Sequence, residues 1–282
     1  MAKSIKKLRD DLTILETETR LLATELYELS HVYLQRLHNV VSKQLVFVCY
    51  QICTHKYPEQ FLVLTYGEKV DLQEKIKAKG AVFLSHLTNT LEEMDKLECA
   101  LFPDFPHSLT GLPAPSTPSE DANLQLIEKE ELSNINPGDI INFFAEIEYS
   151  VGETLKEISI STNNFLREYK ILPAQIPSKI LAMALENSEA AVGGSDGDNL
   201  INLIVEKEHL GSDETKDITP IVAVCLRLSE IEFNDPELRT QRPSLLAIMD
   251  KLITIEKKYS RLDRQHKIAL AESQWRSCWN EE

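Results

Sequence analysis

The sequence predicts an all-α fold: an elongated helical bundle with long coiled-coil-like helices, in two helical regions joined by a proline-rich linker. Three observations predict it. Lys3 to Lys56 reads as one helix, unbroken until Pro58, a rod of about 80 Å. Four apolar seams recur at a spacing of about 3.5 residues, and strand-like alternation is missing. Five prolines, Pro103, Pro106, Pro113, Pro115 and Pro118, crowd the stretch from Phe102 to Pro118 and forbid a helix there. The expected division is therefore 1–101, a long helix with a return helix; 102–137, an acidic proline-rich linker; and 138–282, a second helical region.

In the first helix the seam is Leu8, Leu12, Leu15, Thr19, Leu22, Leu26, Leu29 and Tyr33, the spacing of a heptad. The register slips at Leu37, as in a stutter. Val40 to Cys53 is then apolar almost all round and is expected to be buried on most sides. A short apolar run, Phe61 to Tyr66, leads to Gly67. The return helix, Lys69 to Leu101, carries Leu72, Ile76, Phe83 and Leu87, with Gly80 as an interior weak point.

Beyond the linker, Asn136-Pro137-Gly138-Asp139 signals a helix start with Asp139 as N-cap, and the helix runs to about Lys170 along Ile140, Phe144, Ile147, Val151, Leu155, Ile158, Thr162, Phe165 and Tyr169. Ser178 to Val192 reads as a short helix stopped by Gly193-Gly194. Asn199 to Glu208 suits either a helix or a buried strand, and the reading taken is helix. Thr219-Pro220 opens a helix through Ile231, and Asp235-Pro236 repeats the signature. Pro243 interrupts it.

The last heptad has no slip: Leu245, Ile248, Leu252, Ile255, Tyr259, Leu262, His266 and Ala269. With Leu245 at position a, Lys251 and Lys258 fall at g, and Glu256 and Asp263 at the following e positions. Those signs are complementary across a parallel pair, whereas Asp11 and Glu16 of the first helix repel. Pairing between copies and pairing of the first and last helices within one chain both remain open. Trp275 and Trp279 share a helical face just before the acidic end of the chain, where they either dock onto the protein's own surface or extend this seam as aromatic anchors for a partner.

Composition bounds the function. The 282 residues are 43% hydrophobic and 27% charged, enough to bury a core. The net charge of −15 is concentrated in connectors: residues 186 to 217 hold nine acidic residues against Lys207 and Lys216. Residues 236 to 282 balance nine basic against seven acidic residues, which speaks against a basic nucleic-acid-binding face. The start lacks a basic and then apolar leader pattern, no run spans a bilayer, and the five cysteines are odd in number, so a cytoplasmic protein with free thiols is expected.

The stretches QICTHKYPEQFLVL (Gln51 to Leu64), VCLRLSEIEFNDPEL and AESQWRSCW resemble an uncharacterised family of cyanobacterial helical proteins. The resemblance covers most of the chain outside the linkers and carries no catalytic or binding motif.

Chemical motifs are few. Cys49 and Cys53 lie four apart on one helical face with His55 behind, a donor set that a soft metal can take with Cys99 or a remote histidine as fourth ligand. The competing reading is two small core residues. GGSDGD (Gly193 to Asp198) lacks the alternate ligands and closing glutamate of a calcium loop, and phosphate-cradling, zinc-protease and nucleophile-elbow motifs do not occur. His266 reads as a register-setting residue rather than a base. The function expected is a non-enzymatic adaptor or scaffold acting through coiled-coil contacts, without cofactor, nucleic acid or membrane span. Its contact residues are Leu245, Ile248, Leu252, Ile255, Tyr259, Leu262, Trp275 and Trp279. The alternatives are a metal- or redox-responsive regulator or enzyme using Cys49, Cys53 and His55, and a peripheral membrane protein.

Overall fold

The computed structural model describes residues 4–101, 136–173, 183, 199–207 and 217–279. Most of the expected linker, the helix expected over Ser178 to Val192 apart from Met183, and the loop Gly193 to Asp198 lie outside them. The described chain is predominantly helical, as predicted. Its elements are α1 (Ile5–Gln51), which passes into a π-helical turn (Ile52–Lys56), then α2 (Pro58–Val63), α3 (Tyr66–Leu101), α4 (Pro137–Glu168), strands β1 (Leu200–Lys207) and β2 (Asp217–Val224), α5 (Leu228–Asn234) and α6 (Pro236–Trp279).

Three helix starts, those of α3, α4 and α6, follow from side chains that take up free backbone N–H groups. Thr65 and Glu68 form a capping box at α3: the Glu68 amide donates to Thr65 Oγ1 (3.3 Å) and the Thr65 amide to Glu68 Oε2 (2.8 Å). At α4 the cap is Asn136 and not the expected Asp139, because Asn136 Oδ1 accepts from the Gly138 amide (3.0 Å). Asp235 caps α6, its Oδ1 accepting from the amides of Glu237 (3.1 Å) and Leu238 (3.0 Å). Helix α4 ends because Lys170 takes a left-handed conformation (φ 56°), letting the Ile171 amide reach back to the Leu166 carbonyl (2.8 Å). Pro243 does not interrupt α6. It lies inside the helix near its start, at an exposed position, where it removes a single backbone hydrogen bond.

The packing forms two compact units. The first is Met1–Ser30, Glu92–Ala145 and Ser244–Glu282; the second is His31–Leu91 and Glu146–Pro243. Each draws on early and late parts of the chain.

In the first unit the core is a set of seams. Leu8, Leu12, Leu15, Thr19, Ala23 and Leu26 of α1 are buried, with Ile140 of α4 and Leu245, Ile248, Leu252 and Ile255 of α6. In α6 the first four residues of the predicted seam are the buried ones. The α1 seam departs from its predicted spacing: Ala23 (3% exposed) and Ser30 (6%) hold the places expected for Leu22 and Leu29. Steps of four outnumber steps of three along α1, a period nearer that of a straight helix than the 3.5 of a heptad.

The second unit contains the departure from helix. Residues 199–208 are read above as helix, and Thr219-Pro220 as a helix start. Instead Leu200–Lys207 and Asp217–Val224 pair antiparallel, with Ile201 opposite Ala223 and Leu203 opposite Ile221. Aliphatic residues make up most of both segments, and the pairing lets Ile221, Ala223 and Cys225 form a buried cluster against Ile201, Leu203 and Ile160 of α4. The free edge of β2 is satisfied by side chains. Buried Asn163 of α4 donates from Nδ2 to the Val224 carbonyl (2.8 Å) and accepts at Oδ1 from the Val224 amide (2.9 Å). Tyr57 closes the π-helical turn, its amide donating to the Ile52 carbonyl (2.8 Å), and its hydroxyl accepts from the Val222 amide (2.9 Å). Pro220 lies on this same edge, two residues before Val222, so its missing N–H deprives β1 of nothing.

Further polar ties complete this unit. Arg36 of α1 grips Asp235 (Nη2 to Oδ2, 2.7 Å), and Ser159 Oγ accepts from the Leu226 amide (2.9 Å). Tyr33 donates to Glu232 (2.5 Å), and Arg242 pairs with Glu148. The apolar stretch Val40 to Cys53 is not enclosed as expected. Val41, Leu45, Val48, Cys49, Ile52 and Cys53 are buried, but Val46, Phe47 and Tyr50 are 45%, 47% and 55% exposed, since α1 offers only one side to its neighbours.

Candidate interaction surface

The expected contact residues of α6 divide into two groups. Leu245, Ile248, Leu252 and Ile255 are at most 6% exposed in a single chain, so this part of the seam is filled by its own unit and not held open for a partner. Tyr259, Leu262, His266 and Ala269 are half-buried. Within this unit the first and last helices do meet: Tyr259 Oη donates to Glu16 Oε1 at 3.2 Å. Burial raises the Glu16 carboxyl above its ordinary range against the opposing pull of the Tyr259 hydrogen bond and Arg20, and burial with Glu16 alongside pushes Tyr259 up to about 12. The g-position Lys258 lines a groove of this unit.

That groove, about 750 Å³, runs between α1 and α6. Its floor is Leu8, Ile14, Leu15, Leu262, Ile268 and Ala269, and its rim carries both signs, Asp11 and Glu272 with Lys258 and Arg261. Ile14 is 65% exposed and Ile268 50%. Beyond Glu272, roughly one and two turns along α6, come Trp275 and Trp279. Their rings lie 5.4 Å apart at 33°, and the residues are 66% and 69% exposed. Sequence reasoning found the tryptophans by type and spacing. It missed Ile14 and Ile268, which fall off the heptad seam and show no periodic signal.

The sulfur group belongs to the second unit. Cys49 and Cys53 are buried, and His55 is exposed. His55 Nδ1 lies 2.8 Å from Thr54 Oγ1, whose own proton goes to the Tyr50 carbonyl (2.7 Å), and its ring meets that of Tyr50 edge-on. Burial, reinforced by Cys53, pushes the Cys49 thiol far up, and burial alone takes Cys53 up to about 11. In the metal-free chain both therefore stay protonated, the less reactive form toward oxidants. The Cys99 side chain lies outside the described residues. Among the described residues no three His, Cys, Asp or Glu side chains gather as a metal site, and no helix is long and apolar enough to cross a membrane.

No family model, curated protein or solved structure matches this chain.

Proposed function

We propose that the protein is a non-enzymatic adaptor that acts in the cytoplasm by docking a protein partner through coiled-coil-like helix contacts at the C-terminal end of α6. The observation that carries this reading is the exposed tryptophan pair. Two adjoining indoles, tilted against each other, stand in solvent just beyond an apolar groove, in the unit where the first half of the α6 seam is already buried. Trp is the residue type that most often anchors an interface, at about 2 kcal/mol or more per anchor. The mixed-sign rim of the groove suits an amphipathic partner helix with charges of both signs on its flanks, and it offers no basic stripe to nucleic acid.

The test uses the full-length chain as bait beside its Trp275→Ala/Trp279→Ala variant. The variant should lose a partner that the parent captures stoichiometrically, while its melting temperature and helical circular dichroism stay unchanged. Identical capture by both baits would refute the reading.

A further inference from the structure

A second concavity, about 420 Å³, opens in the other unit where α1 passes into its π-helical turn. Its walls are Val46, Cys49, Cys53, Phe61, Leu72 and Ile76, from α1, the π turn, α2 and α3. The volume falls within the range of roughly 300–1,000 Å³ typical of small-molecule sites. Three features distinguish it from an ordinary packing defect. The backbone widens into a π-helical turn at its wall, a distortion found often at functional sites, and this turn is held in place by the bond of the Tyr57 amide to the Ile52 carbonyl. Apolar side chains stand exposed beside it, Val46 and Tyr50 in the lining and Phe47 next to them. Its polar lining includes Gln73 and Lys77, exposed and one turn apart on α3, and Lys77 makes no ion pair among the described residues. Nearby Lys75, by contrast, is fully engaged with Asp71, Glu168 and Tyr169.

An apolar chamber with one unmatched cation at its edge complements a molecule with a hydrocarbon body and one anionic end. We propose that this pocket binds a free medium-chain fatty acid, the chain lying between Phe61, Leu72 and Ile76 and the carboxylate meeting Lys77. The two thiols then serve as compact apolar wall rather than as nucleophiles, consistent with their burial. The site is independent of the tryptophan surface.

The experiment is calorimetric titration of the full-length chain with dodecanoate below its micellar concentration, in parallel with dodecanol and dodecyltrimethylammonium. Dodecanoate should bind at one site per chain, and the neutral and cationic analogues should bind at least tenfold more weakly, as expected for loss of a charge-assisted contact. Lys77→Glu should weaken dodecanoate by more than tenfold and leave dodecanol unchanged. Val46→Trp, also at an exposed position, should plug the entrance and abolish binding of both. Neither change touches the core, so circular dichroism should stay constant. The proposal is overturned if dodecanoate shows no saturable binding, if dodecanol binds equally well, or if Val46→Trp has no effect. It is equally overturned if the parent is a dimer that Phe47→Glu dissociates, since a second copy would then cover the pocket, or if anionic phosphatidylglycerol vesicles bind the chain through Lys77 while the free acid does not.

Discussion

The two units hold themselves together by different means. The first relies on apolar seams: nearly every buried side chain described there is aliphatic, and the tie from Tyr259 to Glu16 is half in solvent. The second contains the buried or half-buried pairs Asn163 with Val224, Ser159 with Leu226 and Arg36 with Asp235, and it closes the edge of a strand with side chains. A seam tolerates any apolar side chain of the right volume, because burial free energy scales with area and carries no direction. A hydrogen-bonded edge tolerates only the group that reaches both backbone atoms.

The largest effects should separate these modes. Asn163→Ala leaves the Val224 amide and carbonyl without their partner in a buried place and should cost about 2–5 kcal/mol. Leu252→Ala in the first unit should cost a similar 2–5 kcal/mol by opening a cavity. Volume-matched replacements break the tie. Leu252→Met should recover to within about 1.5 kcal/mol of the parent, whereas Asn163→Leu should recover nothing. Urea unfolding measures all four. Equal recovery at both sites would remove the distinction.

Titration should sharpen the contrast in sign. The Arg36 hydrogen bond, helped by the helix amides of Leu238 and Glu237, holds Asp235 below its ordinary value of 3.8. Its contribution is therefore complete above about pH 3.8 and is lost as pH falls through the lower folded-state value. Asp235→Asn should destabilise at neutral pH, and the deficit should shrink in acid. Glu16 has the opposite behaviour. Burial raises it above 4.5, so ionising it costs stability as pH rises through and beyond that value. Glu16→Gln still accepts from Tyr259 and should match the parent in acid, then become slightly more stable toward neutral pH. Chemical unfolding from pH 3 to 8 checks both slopes, and slopes of the same sign would contradict this account.

The smallest expected effect is a gain. Gly80 is buried inside α3, and a Cβ there would meet Ser42 Oγ at 3.5 Å, an ordinary contact. Gly80→Ala should stabilise by about 0.5–1 kcal/mol through helix propensity alone, visible as a raised melting temperature.

Local rules made much of this legible. Pro58 and Asp235-Pro236 mark their helix boundaries because each acts through its own backbone or the next two residues. The Thr65 and Glu68 capping box was equally readable from its spacing, although the reading above passes over it. The seam of α6 was visible as a period, and so were the tryptophans at its end. The groove beside them was not, because Ile14 and Ile268 belong to no repeat and become neighbours only when two distant helices meet.

What the sequence determined by itself was the helical class, the long first and last helices and the residues able to bury a seam. These follow from propensity and periodicity, which act over a few turns. Tertiary structure decided the rest. Leu200–Lys207 and Asp217–Val224 became strands because each could pair with the other, and because Asn163 and Tyr57 from elsewhere in the chain take up the free edge of the second. Val46, Phe47 and Tyr50 stayed exposed although their composition calls for burial, since the number of faces a helix hides depends on how many neighbours arrive. Leu252 and Ile255 turned inward while Trp275 and Trp279 did not, because the first pair meets its own chain in the first unit and the second lies past the last buried turn of the seam. A single helix cannot encode that difference, for it depends on where another helix ends.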